Sequence, residues 1–208
     1  MKKTFIAIII CAWMTRGYAQ LDTTQISAEL SGWIKEKNLP GMVLYIKKGD
    51  QVLLHQAFGH SNKEEKIPMK VKQRFRIFSM SKPITSLALM NCLSENNLTT
   101  DHLMTDIFPS FKSDHPISIQ QVMTHTAGFS YGGEFSWTGL QYWWYDPLEK
   151  SDDLDELMDR LSGLPLNYKP GEGWEYSLSH DVQGAIIEQV STKTFPEYLQ
   201  RKLLGTFH

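Results

Sequence analysis

Ser79 and Lys82 stand three residues apart at the head of an apolar run, Ile84, Leu87, Ala88, Leu89 and Leu93, whose spacing is helical. Pro83 is tolerated only in a first turn, so the helix is predicted to begin near Ser79, with hydroxyl and amine on one face. The positive end of the helix and its free N–H groups favour an alkoxide at Ser79 and disfavour a protonated Lys82. Such a pair is a nucleophile with an adjacent amine base. On spacing alone it reads more simply as a helix cap and a solvated lysine.

Other residues invite chemistry less strongly. His125, within Thr124-His125-Thr126-Ala127-Gly128, suggests a Ser–His pairing. His180 and Asp181 are adjacent, with no third group at metal-ligand spacing, and read as surface or supporting residues. Cys92 ends an apolar helical pattern, where a buried inert thiol is the default.

Composition limits the partners. With 41% hydrophobic and 21% charged positions the chain has a globular balance, which excludes disorder and collagen-like architecture. Lys+Arg 21 against Asp+Glu 23, with no face-sized basic run, leaves nothing to neutralise a phosphate backbone, so nucleic acid is excluded as a partner.

The first nineteen residues are set apart from the fold. Lys2 and Lys3 form a short positive region, Phe5 to Met14 is apolar, and Gly17-Tyr18-Ala19 supplies small residues for cleavage. Together they read as a secretory signal peptide over residues 1–19, too short to span a bilayer. The domain, residues 20–208, is therefore expected to be exported, periplasmic or secreted, with no stable membrane span. Ile10 before Cys11 argues against lipoprotein processing, and removal of the leader leaves Cys92 without an intrachain disulfide partner.

The positioning elements follow from periodicity. Ile26, Leu30, Trp33 and Ile34 predict a helix ended by Asn38-Leu39-Pro40-Gly41; Met42 to Ile46 and Gln51 to Phe58 predict a hairpin with Gly49 and Asp50 at its tip. Residues 61–69 read as a polar loop, and these two strands are the only ones foreseen. Short helices are predicted over 117–123, capped by Ser118, and over 152–161, 182–190 and 195–204, with turns at 96–100 and 169–173. Residues 129–147, crowded with Phe129, Tyr131, Phe135, Trp137, Tyr142, Trp143, Trp144 and Tyr145, read as a long aromatic loop that either lines an acyl pocket or packs on itself as a lid.

Three blocks give the pair its context. Phe75-Arg76-Ile77-Phe78-Ser79-Met80-Ser81-Lys82-Pro83, then Val122-Met123-Thr124-His125-Thr126-Ala127-Gly128-Phe129, then Pro170-Gly171 with Trp174-Glu175-Tyr176-Ser177-Leu178-Ser179, resemble in order and spacing the serine β-lactamase-related hydrolases. The similarity is to the class C-like, penicillin-binding-protein-like branch that includes esterases and D-aminopeptidase relatives, and runs from about residue 26 to 204. It implies an α+β, β-lactamase/transpeptidase-like fold, mostly helical with part of an antiparallel sheet.

By that resemblance Ser79 is the acylated nucleophile, Lys82 its proton-transfer partner and Tyr176 the tyrosine that exchanges protons with the leaving group; a phenol near cationic Lys82 can be acidified toward a useful range. Taken alone, Tyr176 is a half-buried aromatic with its hydroxyl satisfied. The resemblance makes His125 part of a structural turn. Tyr-Ser-Leu at 176–178 looks like the esterase-type relatives, since lactamases of this branch carry Asn where Leu178 stands. The implied substrate is a small ester, amide or peptide, with no cofactor and no metal. Relatives are nearly twice as long and place a Lys-Thr-Gly, His-x-Gly or Trp-Gly-Gly triad on a downstream strand; none precedes His208. The reading is therefore a C-terminally truncated domain lacking sheet strands and one oxyanion donor, a loss that typically costs about 100- to 1,000-fold in rate. The alternatives are a catalytically silent remnant that binds acyl ligands and an interaction module built on the aromatic stretch.

Overall fold

The computed structural model describes residues 22–132 and 136–206, so the leader predicted over 1–19 lies outside the described residues. The described residues divide into two compact units, one up to Arg76 and one from Ile77 onward.

In the first unit, helix α1 (Thr23–Glu36) is capped by Asp22, whose carboxylate accepts the N–H groups of Thr24 and Gln25. Strands β1 (Gly41–Lys48) and β2 (Gln51–Asn62) form the foreseen hairpin, turning at Gly49 and Asp50 with Gly49 at φ +57°. Opposite the turn, Gly41 and Gly59 face each other across the ladder; a Cβ on Gly41 would lie 2.6 Å from the carbonyl oxygens of Phe58 and His60. Helix α1 is tied to β2 through Ser27 Oγ, which donates to Gln56 Oε1 at 2.8 Å. The polar stretch 61–69 departs from the loop reading. β2 continues to Asn62, and β3 (Ile67–Pro68) adds a third antiparallel strand, in the order β1-β2-β3. Main-chain pairing, including Met69 N–H to Gly59 O at 3.0 Å, holds this exposed edge without any buried apolar row to announce it.

The second unit is helical. A 3-10 turn (Phe78–Ser81) runs directly into α2 (Lys82–Glu95), followed by α3 (Met104–Ile107), α4 (Ile119–Met123), α5 (Trp137–Tyr145), α6 (Leu154–Leu161), α7 (Ser179–Ser191), α8 (Phe195–Lys202) and a closing 3-10 turn (Leu204–Thr206). Helix α7 is the hub. Its Val182, Ala185, Ile186 and Ile187 are buried, and α2, α3, α4, α6 and α8 all pack against it. Ala88, Leu89, Cys92 and Leu93 of α2, Ile119 and Val122 of α4, Leu157 and Leu161 of α6, and Tyr198 of α8 complete one core. Each fully buried branched or aromatic side chain there contributes roughly 1.5–3 kcal/mol relative to exposure. Cys92 is a buried packing residue.

Two sequence expectations change in this unit. The α-helix starts at Lys82, and Ser79 sits in the preceding 3-10 turn, because Phe78 at φ +45° bends the chain ahead of the nucleophile position. The stretch 129–147 is a loop only in part: α5 occupies its second half, with Ser136 Oγ accepting the Gly139 N–H at 2.9 Å and Asp146 ending the helix in the left-handed region. Among the described residues no helix is long and apolar enough to cross a membrane.

Candidate active site

The three sequence blocks converge within the second unit. The turn at His125 and Gly128 docks on the segment leading to Tyr176: Gly171 N–H donates to Thr126 O at 2.8 Å, Asn167 N–H to Gly128 O at 2.8 Å, and Glu175 N–H to His125 O at 3.0 Å. Gly128, at φ +89°, is required there, since a Cβ would lie 2.5 Å from the Tyr168 carbonyl oxygen. This docking carries Tyr176 to Ser79.

Ser79 Oγ and the Tyr176 hydroxyl are 2.8 Å apart, and Lys82 Nζ lies 4.8 Å from the Tyr176 ring centre. One turn of chain thus presents a hydroxyl and an ammonium to a single phenol. Phe78, with its side chain 74% exposed and its backbone left-handed, stores strain of about 1–3 kcal/mol immediately before Ser79.

The electrostatics bind the three groups together. The hydrogen bond from Lys82, then that from Ser79, holds the Tyr176 phenol below its ordinary value despite the opposing effect of desolvation. Burial pulls the Lys82 ammonium down, but the hydrogen bonds and charges of Tyr176 and Tyr131 together outweigh it and hold Lys82 above the usual lysine value. This reverses the sequence expectation of a disfavoured ammonium: two phenols act on Lys82 and outweigh its burial. Tyr131, its ring 5.7 Å from that of Tyr176, is itself pushed up by burial. In the sequence Tyr131 is one aromatic among many, and only its place six residues after His125 distinguishes it.

His125 lies against Tyr176. It is buried, at φ +60°, and its ring stacks on Tyr176 at 5.0 Å with an interplanar angle of 25°. Its Nδ1 accepts the Ser177 N–H at 3.1 Å, which leaves the ring proton on Nε2. Burial, then the Lys82 charge, holds His125 below the usual histidine value. Behind it stands His180, 4.9 Å away between ring centres, with Nε2 3.3 Å from Ser86 Oγ. Burial, then His125 and Lys82, pushes His180 down to about 4. His180 and Asp181 are therefore half-buried lining groups, and burial raises the Asp181 carboxyl. A cavity of about 290 Å³ opens beside Lys82, walled by Phe78, Tyr131, Leu148, Leu154 and Phe195, with His180 and Asp181 at its polar side. Among the described residues no cluster of three or more His, Cys, Asp or Glu is arranged to hold a metal ion.

The sequence profile of the family described as Beta-lactamase matches residues 18–207. The chain is 31% identical over 188 residues to Esterase EstB of Burkholderia gladioli, covering 82% of this chain and 47% of EstB. It is 25% identical over 192 residues to Protein flp of Staphylococcus aureus, covering 88% of this chain and 36% of that protein. The chain thus spans about half, or less, of the length of these curated relatives. Its fold superposes on EstCE1, a hydrolase with promiscuous acyltransferase activity, with a TM-score of 0.76 at 26% identity, over 88% of this chain and 50% of that one.

Proposed function

The chain belongs to the Beta-lactamase family, and from that premise we propose that it is an exported serine hydrolase forming an acyl-enzyme at Ser79 on an ester or amide, with Lys82 and Tyr176 as its proton-handling groups. The observation that carries the reading is the 2.8 Å approach of the Tyr176 hydroxyl to Ser79 Oγ, beside the Lys82 ammonium.

The protonation states order the steps. Tyr176, acidified by Lys82, is the base: its phenolate oxygen takes the Ser79 proton as Oγ forms a bond to the acyl carbon. The carbonyl electron pair moves onto oxygen, and the Ser79 N–H is one donor to that oxyanion. When the pair returns, the bond to the leaving group breaks and Tyr176 gives its proton to the departing oxygen or nitrogen, so that an alcohol or amine leaves and the phenolate is regenerated. Water then repeats the sequence on the acyl-enzyme and restores Ser79. Lys82 stays an ammonium throughout and stabilises the phenolate between transfers.

The cavity of about 290 Å³ beside Lys82 suits a small acyl group, since pockets for drug-sized ligands begin at roughly that volume. Similarity to EstB and Leu178 after the tyrosine favour esters over β-lactams. The leader at 1–19 supports export, periplasmic or secreted. Hydrolysis of p-nitrophenyl esters of increasing acyl length tests the reading: turnover greatest for short chains and lost in Ser79→Ala supports it, and turnover equal in Ser79→Ala overturns it. Leu148→Trp, which narrows the cavity, shifts the preference toward acetyl esters.

A further inference from the structure

Tyr176 can serve Ser79 only if its hydroxyl is held in place, and the residue is 43% exposed, so the packing of its own ring cannot do this alone. The hydrogen bonds on either side of it in sequence both end on one residue. Glu175 N–H donates to the His125 carbonyl at 3.0 Å, and Ser177 N–H donates to His125 Nδ1 at 3.1 Å. Between these two anchors the Tyr176 ring lies on the His125 ring, 5.0 Å away and 25° from parallel. We infer that His125 is the positioning residue of the proton carrier, holding Tyr176 by its carbonyl, its Nδ1 lone pair and its ring face. The inference deepens the proposed function and rests on the reading of Tyr176 as the group that exchanges protons with Ser79.

Three demands meet at position 125. The backbone is left-handed, φ +60°, which turns carbonyl and side chain toward one segment and costs an L-residue about 1–2 kcal/mol. An acceptor must stand where Nδ1 stands, and a flat ring must stand under Tyr176. Asparagine tolerates the backbone and supplies the acceptor but has no ring; phenylalanine supplies the ring and no acceptor. Histidine meets both demands, provided that Nδ1 carries no proton. The surroundings favour that state: burial, then the Lys82 charge, holds His125 below the usual histidine value, and the Ser177 N–H and hydroxyl stand 3.1 and 3.3 Å from Nδ1. His125 acts on Ser79 only through Tyr176.

The test uses the full chain with carbon-13 tyrosine and nitrogen-15 histidine. It follows the Tyr176 titration, assigned with Tyr176→Phe, together with exchange of the Ser177 amide and the rate at which a fluorophosphonate modifies Ser79. In His125→Phe the Tyr176 midpoint moves up toward that of a free phenol, the Ser177 amide exchanges faster, and Ser79 labelling slows about 10- to 100-fold with little change in probe affinity, the scale of a small misplacement of a reacting group. His125→Asn, which restores the acceptor but not the ring, recovers the labelling rate only in part, to a value between those of His125→Phe and the wild type. A folded His125→Phe chain with the wild-type Tyr176 titration and labelling rate overturns the inference while leaving the hydrolase reading intact. If wild-type Ser79 is not labelled, the hydrolase reading fails, and the Tyr176 midpoint and Ser177 exchange decide the inference by themselves. If His125→Phe does not fold, the wild-type nitrogen-15 spectrum decides: an unprotonated Nδ1 supports the clamp and a protonated one overturns it.

Discussion

Lys82 keeps Tyr176 ready to act as the base. The ammonium is held above its usual range and the phenol below its own, so each stabilises the other's charged form. The sign of the pH dependence follows. Reactivity of Ser79 rises with pH as Tyr176 loses its proton, at a midpoint below that of an ordinary phenol, and falls again where Lys82 loses its proton, above the ordinary lysine midpoint. Tyr176→Phe abolishes the ascending limb and lowers the rate by about 100-fold or more, in line with the loss of a positioned general base; a labelling-rate profile from neutral to alkaline pH checks both statements. In the sequence Ser79, Lys82 and Tyr176 were singled out by the family resemblance of their flanking blocks, since spacing alone read as a helix cap and a solvated lysine, and the fold brings the three together. His125 and Tyr131 were not assigned to it. Their contacts with Tyr176 close loops of about fifty residues, and no local pattern records such a contact.

Helices whose apolar residues repeat at helical spacing over two turns or more were readable, whereas α5 and the single turn α3 were missed. Leu154, Leu157, Met158 and Leu161 repeat at helical spacing behind the Asp153 cap, so α6 is written in the chain. Ser118 and Gln121 form a capping box at the head of α4, where Ser118 Oγ accepts the Gln121 N–H at 3.2 Å and Gln121 Oε1 accepts the Ser118 N–H at 2.9 Å. Helix α5 has no such signature: Trp137, Leu140, Trp143 and Trp144 are exposed, and it buries only Gly139 and Tyr142, so its apolar residues form no single inward stripe. The edge strand β3 was hidden for a related reason, since Ile67 and Pro68 are both exposed. The caps and the core separate experimentally. Ser118→Ala costs about 1 kcal/mol through the lost cap, whereas Ile186→Ala, at 0% exposure in the hub helix, costs about 2–5 kcal/mol through lost burial and the cavity left behind. Urea titration of each variant checks the ratio.

At the scale of the whole molecule, stability is tied to the histidines behind the site. His180 has a folded value of about 4 against an ordinary 6.5, so the unfolded chain binds its proton first. The stability it contributes is complete above about pH 6.5 and is lost as pH falls toward 4; after allowance for solvent screening this amounts to about 1–3 kcal/mol. His125 is shifted in the same direction and adds to the loss. Melting temperatures taken across that interval fall more steeply for the wild-type chain than for His180→Gln, which keeps a donor for Ser86 and has no charge to gain. Composition announced a globular chain, and the motif blocks announced the family and with it the α+β fold. The division at residue 76 was not foreseen, because it depends on which elements share a core, and α7 gathers five helices drawn from the stretch between Lys82 and Lys202.

The most direct measurement is the intact mass of the full chain after treatment with a fluorophosphonate, beside Ser79→Ala treated identically. One adduct per wild-type chain and none on Ser79→Ala is the expected result. A folded wild-type chain that stays unmodified, or an adduct that persists in Ser79→Ala, would contradict the assignment of Ser79 as an activated nucleophile.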